Sequence, residues 1–224
     1  MPTPDSHETA PPESLLSPDT LRLALDMPWK ARNEIERLLL LPLARIQFAL
    51  AGVVWGVGWK LYGLPIIQKH RRSTLTFGAR LELRSTHRSN PLGPNRPVIL
   101  STRRPGASLV IGDDFGMTGG SIVAEEKIVI GNRVTVGANT IIADTDFHPL
   151  DALARQHLPL DGAIAPITIE DDVFIGMQSL ILKGVMIGAG SIIGAGSVVT
   201  RSIPAGVIAA GNPAQVIRAL ESET

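Results

Sequence analysis

From Ile169 to Pro204 the chain repeats every six residues: IEDDVF, IGMQSL, ILKGVM, IGAGSI, IGAGSV, VTRSIP. A β-branched aliphatic opens each tile, at Ile169, Ile175, Ile181, Ile187, Ile193 and Val199, and glycine follows it at Gly176, Gly188 and Gly194. The fifth place is small or branched: Val173, Ser179, Val185, Ser191, Ser197, Ile203. This period is neither the 3.6 of a helix nor the 2 of a half-buried strand. A fixed short period implies a solenoid, and a six-residue one a parallel β-helix. Each tile supplies a short strand and a corner, with an aliphatic turned inward and glycine where the backbone is crowded. Three tiles close one triangular coil, and stacked coils bury a continuous aliphatic ladder.

The same phase runs upstream with one slip. Ile111, Met117 and Val123 open one coil; Ile130, Val136 and Ile142 open the next, after one extra residue near Val129. The phase is then lost for the 27 residues between Ile142 and Ile169, nine more than one 18-residue coil. Residues 144–168 are therefore expected to form an extruded loop, the first place to look for chemistry. Phe77 to Pro105 shows only broken phase (Phe77-Gly78, Leu83, Ile99), which implies imperfect coils or a capping region. The expected organisation is a disordered tail over 1–17, a helical region over 18–72, the β-helix over 73–212, and a short C-terminal helix and tail over 213–224. An aromatic content of 4% with 22 Gly suits narrow coils. Zero formal net charge argues against a nucleic-acid binder that relies on a basic field. The absence of cysteine excludes disulfides, a thiolate nucleophile and Cys-based zinc sites, and fits a cytoplasmic protein.

Met1 to Ser17 is rich in Pro, Ser, Thr and acid, and lacks the basic start and apolar run of a signal peptide. His7, inside it, is expected to be inert. Ser17-Pro18-Asp19 has the form of an N-cap opening a short helix. Pro28 starts a second helix expected to reach about Leu41, with Pro42 bending or ending it. Ile46 to Trp59 carries no charge over 14 residues, short of the roughly 20 a spanning helix needs. Two readings compete for residues 38–72. One is peripheral contact with a membrane, with Trp55, Trp59 and Tyr62 near the headgroups and Lys69-His70-Arg71-Arg72 on anionic lipid. The other is a helical cap on the open end of the solenoid or against a neighbouring subunit. Thr86 to Pro97 reads as a loop, with His87 solvated.

The extruded segment DTDFHPLDALARQHLPLDGAIAP places His148 at its root, with Asp144 and Asp146 just before it and Pro149 after. A neutral imidazole, with a reference pKa of about 6.5, is suited to take a proton from a hydroxyl near neutral pH. The competing reading is a loop histidine that caps a turn.

The tiles, the DTDFHPLDALAR loop, the run VFIGMQSLILKGVMIGAGSIIGAGSVVTRSIP and the tail GNPAQVIR together resemble the hexapeptide-repeat acyltransferases, over about Leu109 to Leu220. The nearest resemblance is to the sugar O-acetyltransferase branch, which includes maltose and galactoside O-acetyltransferases and polysaccharide-modifying relatives. The resemblance implies a left-handed parallel β-helix, acetyl-CoA as cosubstrate, no metal, and a homotrimer with each active site shared by two subunits. His148 falls on the family's general base and Arg155 on the loop arginine that fixes the loop or meets the sugar; Asp146 is the neighbouring candidate for acceptor binding. Phe174 stands where the family usually has Trp. An acceptor-binding Asn usual in the coil before the loop is missing from GMTGGSIVA, where Thr118 or Ser121 substitutes. Met177, Ala195, Thr200, Arg201 and Arg218 fall on donor-contacting positions, with Arg201 or Arg218 paired to a phosphate.

Three rivals share the fold. A γ-class carbonic anhydrase needs three converging imidazoles, whereas His148 and His157 share one loop and His7, His70 and His87 lie outside the regular coils. A non-catalytic scaffold would bind acetyl-CoA without turnover. An acyltransferase with an amine or serine acceptor keeps the chemistry and changes the substrate. With no Cys and no activated Ser to carry an acyl group, direct transfer through a ternary complex is the expected route.

Overall fold

The computed structural model describes residues 25–157 and 161–221. The tail over 1–17 and the cap at Ser17-Pro18-Asp19 lie outside the described residues.

Three parallel faces are wound from successive short strands. The first stacks β1 (Lys60–Tyr62), β4 (Glu82–Arg84), β7 (Gly116–Thr118), β10 (Thr135–Val136), β13 (Phe174–Ile175), β16 (Ile192–Ile193) and β18 (Val207–Gly211). The second stacks β2 (Ile66–Lys69), β5 (Ile99–Thr102), β8 (Ser121–Ala124), β11 (Ile141–Ala143), β14 (Leu180–Ile181) and β17 (Val198–Val199). The third stacks β3 (Thr74–Phe77), β6 (Ser108–Ile111), β9 (Lys127–Ile130), β12 (Ile167–Ile169) and β15 (Met186–Ile187). The register puts like on like. Leu83, Met117, Val136, Ile175 and Ile193 align on the first face. Leu100, Ile122, Ile142, Ile181 and Val199 align on the second. Ile111, Ile130, Ile169 and Ile187 align on the third. All are buried. The six aliphatics and six fifth-place residues of the repeat are buried as well, so the predicted inward positions hold throughout the tiles.

The upstream phase needs correction. Ile122, not Val123, turns inward, because the tight Gly119-Gly120 corner, with φ of +55° and +86°, shortens its tile by one residue. The coils also begin at Lys60 rather than 73: β1 and β2 occupy part of the region expected to be helical. Gly63, Leu64 and Pro65 form the first corner, and Leu61 and Leu75 face the bore.

A helix, α1 (Pro28–Leu50), crosses the open end of the stack. It runs through Pro42 instead of ending there. Pro42 is exposed, so water can serve the carbonyl that loses its helical donor, while Ala44 and Phe48 anchor the next turn in the core. The helix packs as a cap on the open end of the solenoid. Phe48 meets Trp55, Trp59 and Phe77 edge-on, with ring centroids 5.7, 5.2 and 6.0 Å away. Trp59 donates its indole N–H to the Gly78 carbonyl at 2.8 Å. Trp55, Trp59 and Tyr62, expected near lipid headgroups in the competing reading, face the protein interior.

The expected C-terminal helix is a strand. β19 (Ala214–Ala219) folds back antiparallel on β18. β-Branched Val216 and Ile217 suit a strand, and β18 would otherwise leave its edge unpaired at the top of the stack.

Candidate active site

The loop leaves the stack after β11 and returns at β12, at the corner between the second and third faces. A rigid neck forms its root. Asp144, fully buried, accepts hydrogen bonds from the backbone N–H groups of Glu125, Glu126 and Lys127 at 2.7, 2.8 and 2.8 Å. Thr145 bridges antiparallel to Ile164, the Asp146 N–H donates to Ala163 O at 2.9 Å, and the Ala165 N–H to Asp144 O at 3.0 Å. Beneath the neck the Glu125 carboxylate, with its side chain 3% exposed, is held by Arg104 at 2.8 Å and Arg103 at 3.5 Å. It also accepts the Thr145 hydroxyl at 3.2 Å. Burial raises the Asp144 pKa; the three backbone donors oppose this and the Glu125 charge adds to it.

His148 stands at the tip of this neck. Its N–H donates to Asp146 O at 2.7 Å, and Phe147 before it takes a left-handed φ of +61° with Arg103 over its ring. Gly162 lies against the same backbone: a Cβ there would approach His148 N to 2.6 Å. The imidazole is exposed on a fixed main chain. Asp146 bonds Lys183 Nζ at 2.8 Å, tying the loop to the corner of the coil above. Beyond the neck a short helix, α2 (Ala152–His157), carries Arg155, whose guanidinium donates to the carbonyls of Pro149 and Leu150 at 3.1 and 2.5 Å. Arg155 thus fixes the loop.

The remaining candidates divide between corners. Thr200 and Arg201 follow β17 on the corner that carries His148, and both are exposed. Thr118, Ser121, Met177 and Ala195 lie on the corner between the first and second faces. The four residues of β8 separate these two corners, on the order of 13 Å of strand. Thr118 and Ser121 are both buried, and Thr118 Oγ1 accepts from Asn90 Nδ2 at 3.3 Å. Phe174 projects from the first face, 45% exposed. Arg218 is exposed on β19, at the far end of the stack from α1. One chain therefore does not bring the proposed base and the Met177–Ala195 ledge together. A cleft of about 1020 Å³ opens on the first face beside α1, lined by Trp29, Glu34, Tyr62, Arg84, Arg88 and Asn90 among others. Among the described residues no group of three or more metal-ligating side chains converges.

Residues 166–201 match the family model described as bacterial transferase hexapeptide (six repeats). The matched stretch is the run of tiles. A Schizosaccharomyces pombe protein with a provisional acetyltransferase name is 49% identical over 96 residues, 43% of this chain and 45% of that protein. A Saccharomyces cerevisiae protein named in the same way is 43% identical over 114 residues, 50% of this chain and 57% of that protein. The chain thus spans about half the length of the curated relatives it matches. A mutant of the N-acyltransferase AntD from Bacillus cereus, solved with dTDP and coenzyme A, aligns with a TM-score of 0.56 at 17% identity, over 75% of this chain and 83% of that one. That likeness is one of fold, the left-handed parallel β-helix.

Within the hexapeptide stack, sequence reasoning missed the residues that hold the loop. Lys183 looks like an ordinary corner charge in ILKGVM, and Glu125 and Arg104 lie where the phase is broken. Their contacts join positions about one or two coils apart, so no local motif announces them. Asn90 belongs to the Thr86–Pro97 loop, which sits over the Thr118 corner: a Cβ on Gly119 would approach Pro94 Cβ to 2.6 Å.

Proposed function

We propose that this chain is an acetyl-CoA-dependent O-acetyltransferase acting on a sugar or glycan hydroxyl, working in the cytoplasm as a homotrimer with its active sites between protomers. The observation that carries the reading is the neck, which fixes the His148 backbone at one corner while the donor ledge lies on another. A partner prism that sets its Met177–Ala195 corner against the His148 loop completes the site, which is why the assembly is part of the chemistry.

The ledge fits the donor. Ala195 is exposed, and a Cβ on Gly196 would meet nothing within 4 Å, so the corner offers a smooth shelf to a slender pantetheine arm. Arg201, exposed on the loop's corner, and Arg218, exposed at the far end, are the cations available to phosphate. Bound acetyl-CoA supplies the activated acetyl thioester. His148 accepts the proton of the acceptor hydroxyl as its oxygen bonds the acetyl carbon. The carbon–sulfur bond breaks, and the imidazolium returns the proton to the departing sulfur. Asp146, held by Lys183, and Arg155, bonded to the loop's own carbonyls, position the imidazole's loop. Phe174 and the cleft bearing Trp29 and Asn90 offer the aromatic faces and amide that suit a sugar. The sugar hydroxyl as acceptor follows from the resemblance of the His-Pro loop. A surface for peripheral membrane contact within residues 38–72 belongs to the end of the stack that α1 crosses.

His148→Ala should lower kcat by about 10²- to 10⁴-fold, with trimer mass by light scattering and coenzyme A affinity by calorimetry unchanged. Equal loss of all three would make the residue structural. Transfer to amines alone across a panel of sugars and amines would overturn the acceptor class, and coenzyme A binding with no turnover would make the chain a scaffold.

A further inference from the structure

α1 is apolar on two opposite sides. Its inner side carries Ala44 and Phe48, packed into the bore of the first coil with Trp59, Leu61, Leu75 and Phe77. At 3.6 residues per turn, Ile35, Leu39, Ile46 and Leu50 fall on the other side, and they are 59%, 74%, 56% and 84% exposed. Val54 and Val57, just after the helix, extend the patch at 88% and 79%. Because the inner side plugs the bore along the stack axis, the outer side points away from the stack, out of its end. Prisms packed side by side meet along their flanks and leave this end uncovered.

Past Glu36, which pairs with Arg32 as Glu34 pairs with Arg37 in the first half of α1, the charge on that end has one sign. No acidic residue occurs between Glu36 and Glu82, whereas Arg45, Lys60, Lys69, Arg71 and Arg72 do, in a chain of zero formal net charge. Arg45, Arg71 and Arg72 are exposed, and Lys69 lines the same depression as Val54 and Trp55. An apolar face ringed by cations is matched by the acyl boundary and phosphates of an anionic bilayer. A second copy set end to end would instead bring the same cations face to face. Among the described residues no helix is long and apolar enough to cross a membrane, so the contact is peripheral.

We infer that the α1 end of the stack docks on an anionic lipid surface, with the outer side of α1 and Val54 in the interface and Arg45, Lys69, Arg71 and Arg72 at the phosphates. The docking stands whatever reaction the flank performs, and its test reads no activity. The full-length chain is pelleted with vesicles of phosphatidylcholine, with or without phosphatidylglycerol, over a salt series. It should pellet with the anionic vesicles, be released as salt rises, and stay in the supernatant when the vesicles are neutral. The triple variant L39E/I46E/L50E, at solvent-facing positions, should partition roughly tenfold less or weaker still with an unchanged thermal midpoint. R71E/R72E should lose about fivefold or more per residue at low salt. Failure to pellet with anionic vesicles, or pelleting that neither variant changes, would overturn the assignment. So would a wild-type mass in solution twice that of the triple variant, which would give the face to a second copy. Binding seen only after removal of residues 1–24 would give it to that segment.

Discussion

Two corners of the same prism use charge in opposite ways. Between the third and first faces, three successive coils repeat one device. Asp113 Oδ1 accepts the Ala79 N–H at 2.8 Å, Asn132 Oδ1 accepts the Asp113 N–H at 2.9 Å, and Asp171 Oδ1 accepts the Asn132 N–H at 2.8 Å. The next residue in each turn is left-handed: Arg80, Asp114, Arg133 and Asp172, with φ from +54° to +60°. These alternate in sign, and Arg80 grips Asp114 as Arg133 grips Asp172, each through two hydrogen bonds. The corner between the second and third faces repeats nothing. It holds Arg103, Arg104, a buried Glu125, the Asp144 neck, Lys183 and the extruded loop. A uniform corner satisfies its charges within itself and closes the coil. The broken corner directs its charges at an insertion and so holds an imidazole outside the stack.

Asp144→Ala should give the largest effect that separates the two corners. It leaves three backbone N–H groups at the loop root without their acceptor, at a cost of about 3 kcal/mol or more, read as a fall in the urea midpoint. Because the neck carries His148, kcat on a sugar acceptor should fall as well, about tenfold or more. Full activity in the folded fraction would show that the neck does not position the loop. Asn132→Ala is the matching change on the uniform corner. It removes one acceptor and the donors to Asp171 and should cost about 1–2 kcal/mol, with kcat unchanged. Lys183→Ala sharpens the contrast from the other side. Its partly exposed pair with Asp146 is worth about 1 kcal/mol or less, so activity should fall more than stability does. A stability loss larger than that of Asn132→Ala would make Lys183 a strut of the stack.

The same contrast explains what the sequence discloses. From Ile169 to Ile203 every tile has six residues and every inward place is occupied, so ladder and period can be read residue by residue. From Lys60 to Thr102 the coils are equally real, but their corners vary in length. Ile67 and Leu75 are eight residues apart, and the loop bearing Asn90 separates β4 from β5, so a fixed period finds only fragments. α1 passes Pro42 because the bore supplies tertiary contacts at Ala44 and Phe48 that local propensity cannot report. The strand at Ala214–Ala219 is decided by an edge that exists only once β18 is in place. His148 was visible as the histidine of a displaced segment. Its supports were not, since Lys183 meets a carboxylate 37 positions away.

The smallest expected effect is one of slope, and it has opposite signs at the two corners. Asp114 is held below the usual carboxylate range by its hydrogen bonds from Arg80, Asp171 by the Asn132 amide and side chain, and Asp172 by Arg133. An acid depressed in the folded state stabilises it above the unfolded value of about 3.9, and that contribution is lost as pH falls. Asp144 is raised by burial, so its contribution is present below that value and is lost as pH rises through its folded value. Urea midpoints at a series of pH values, for wild type, D144N and D171N/D172N, read the two signs directly. An amide at 144 keeps a single acceptor oxygen, which shifts its curve by a constant, so the slope is the measurement. As pH falls from 7 toward 4, wild type should gain on D144N. Below about pH 4 it should lose its advantage over D171N/D172N. Parallel curves for both variants would mean that the buried carboxylate at the loop root is solvated like the exposed ones on the uniform corner, and the neck would then be too loose to hold a base.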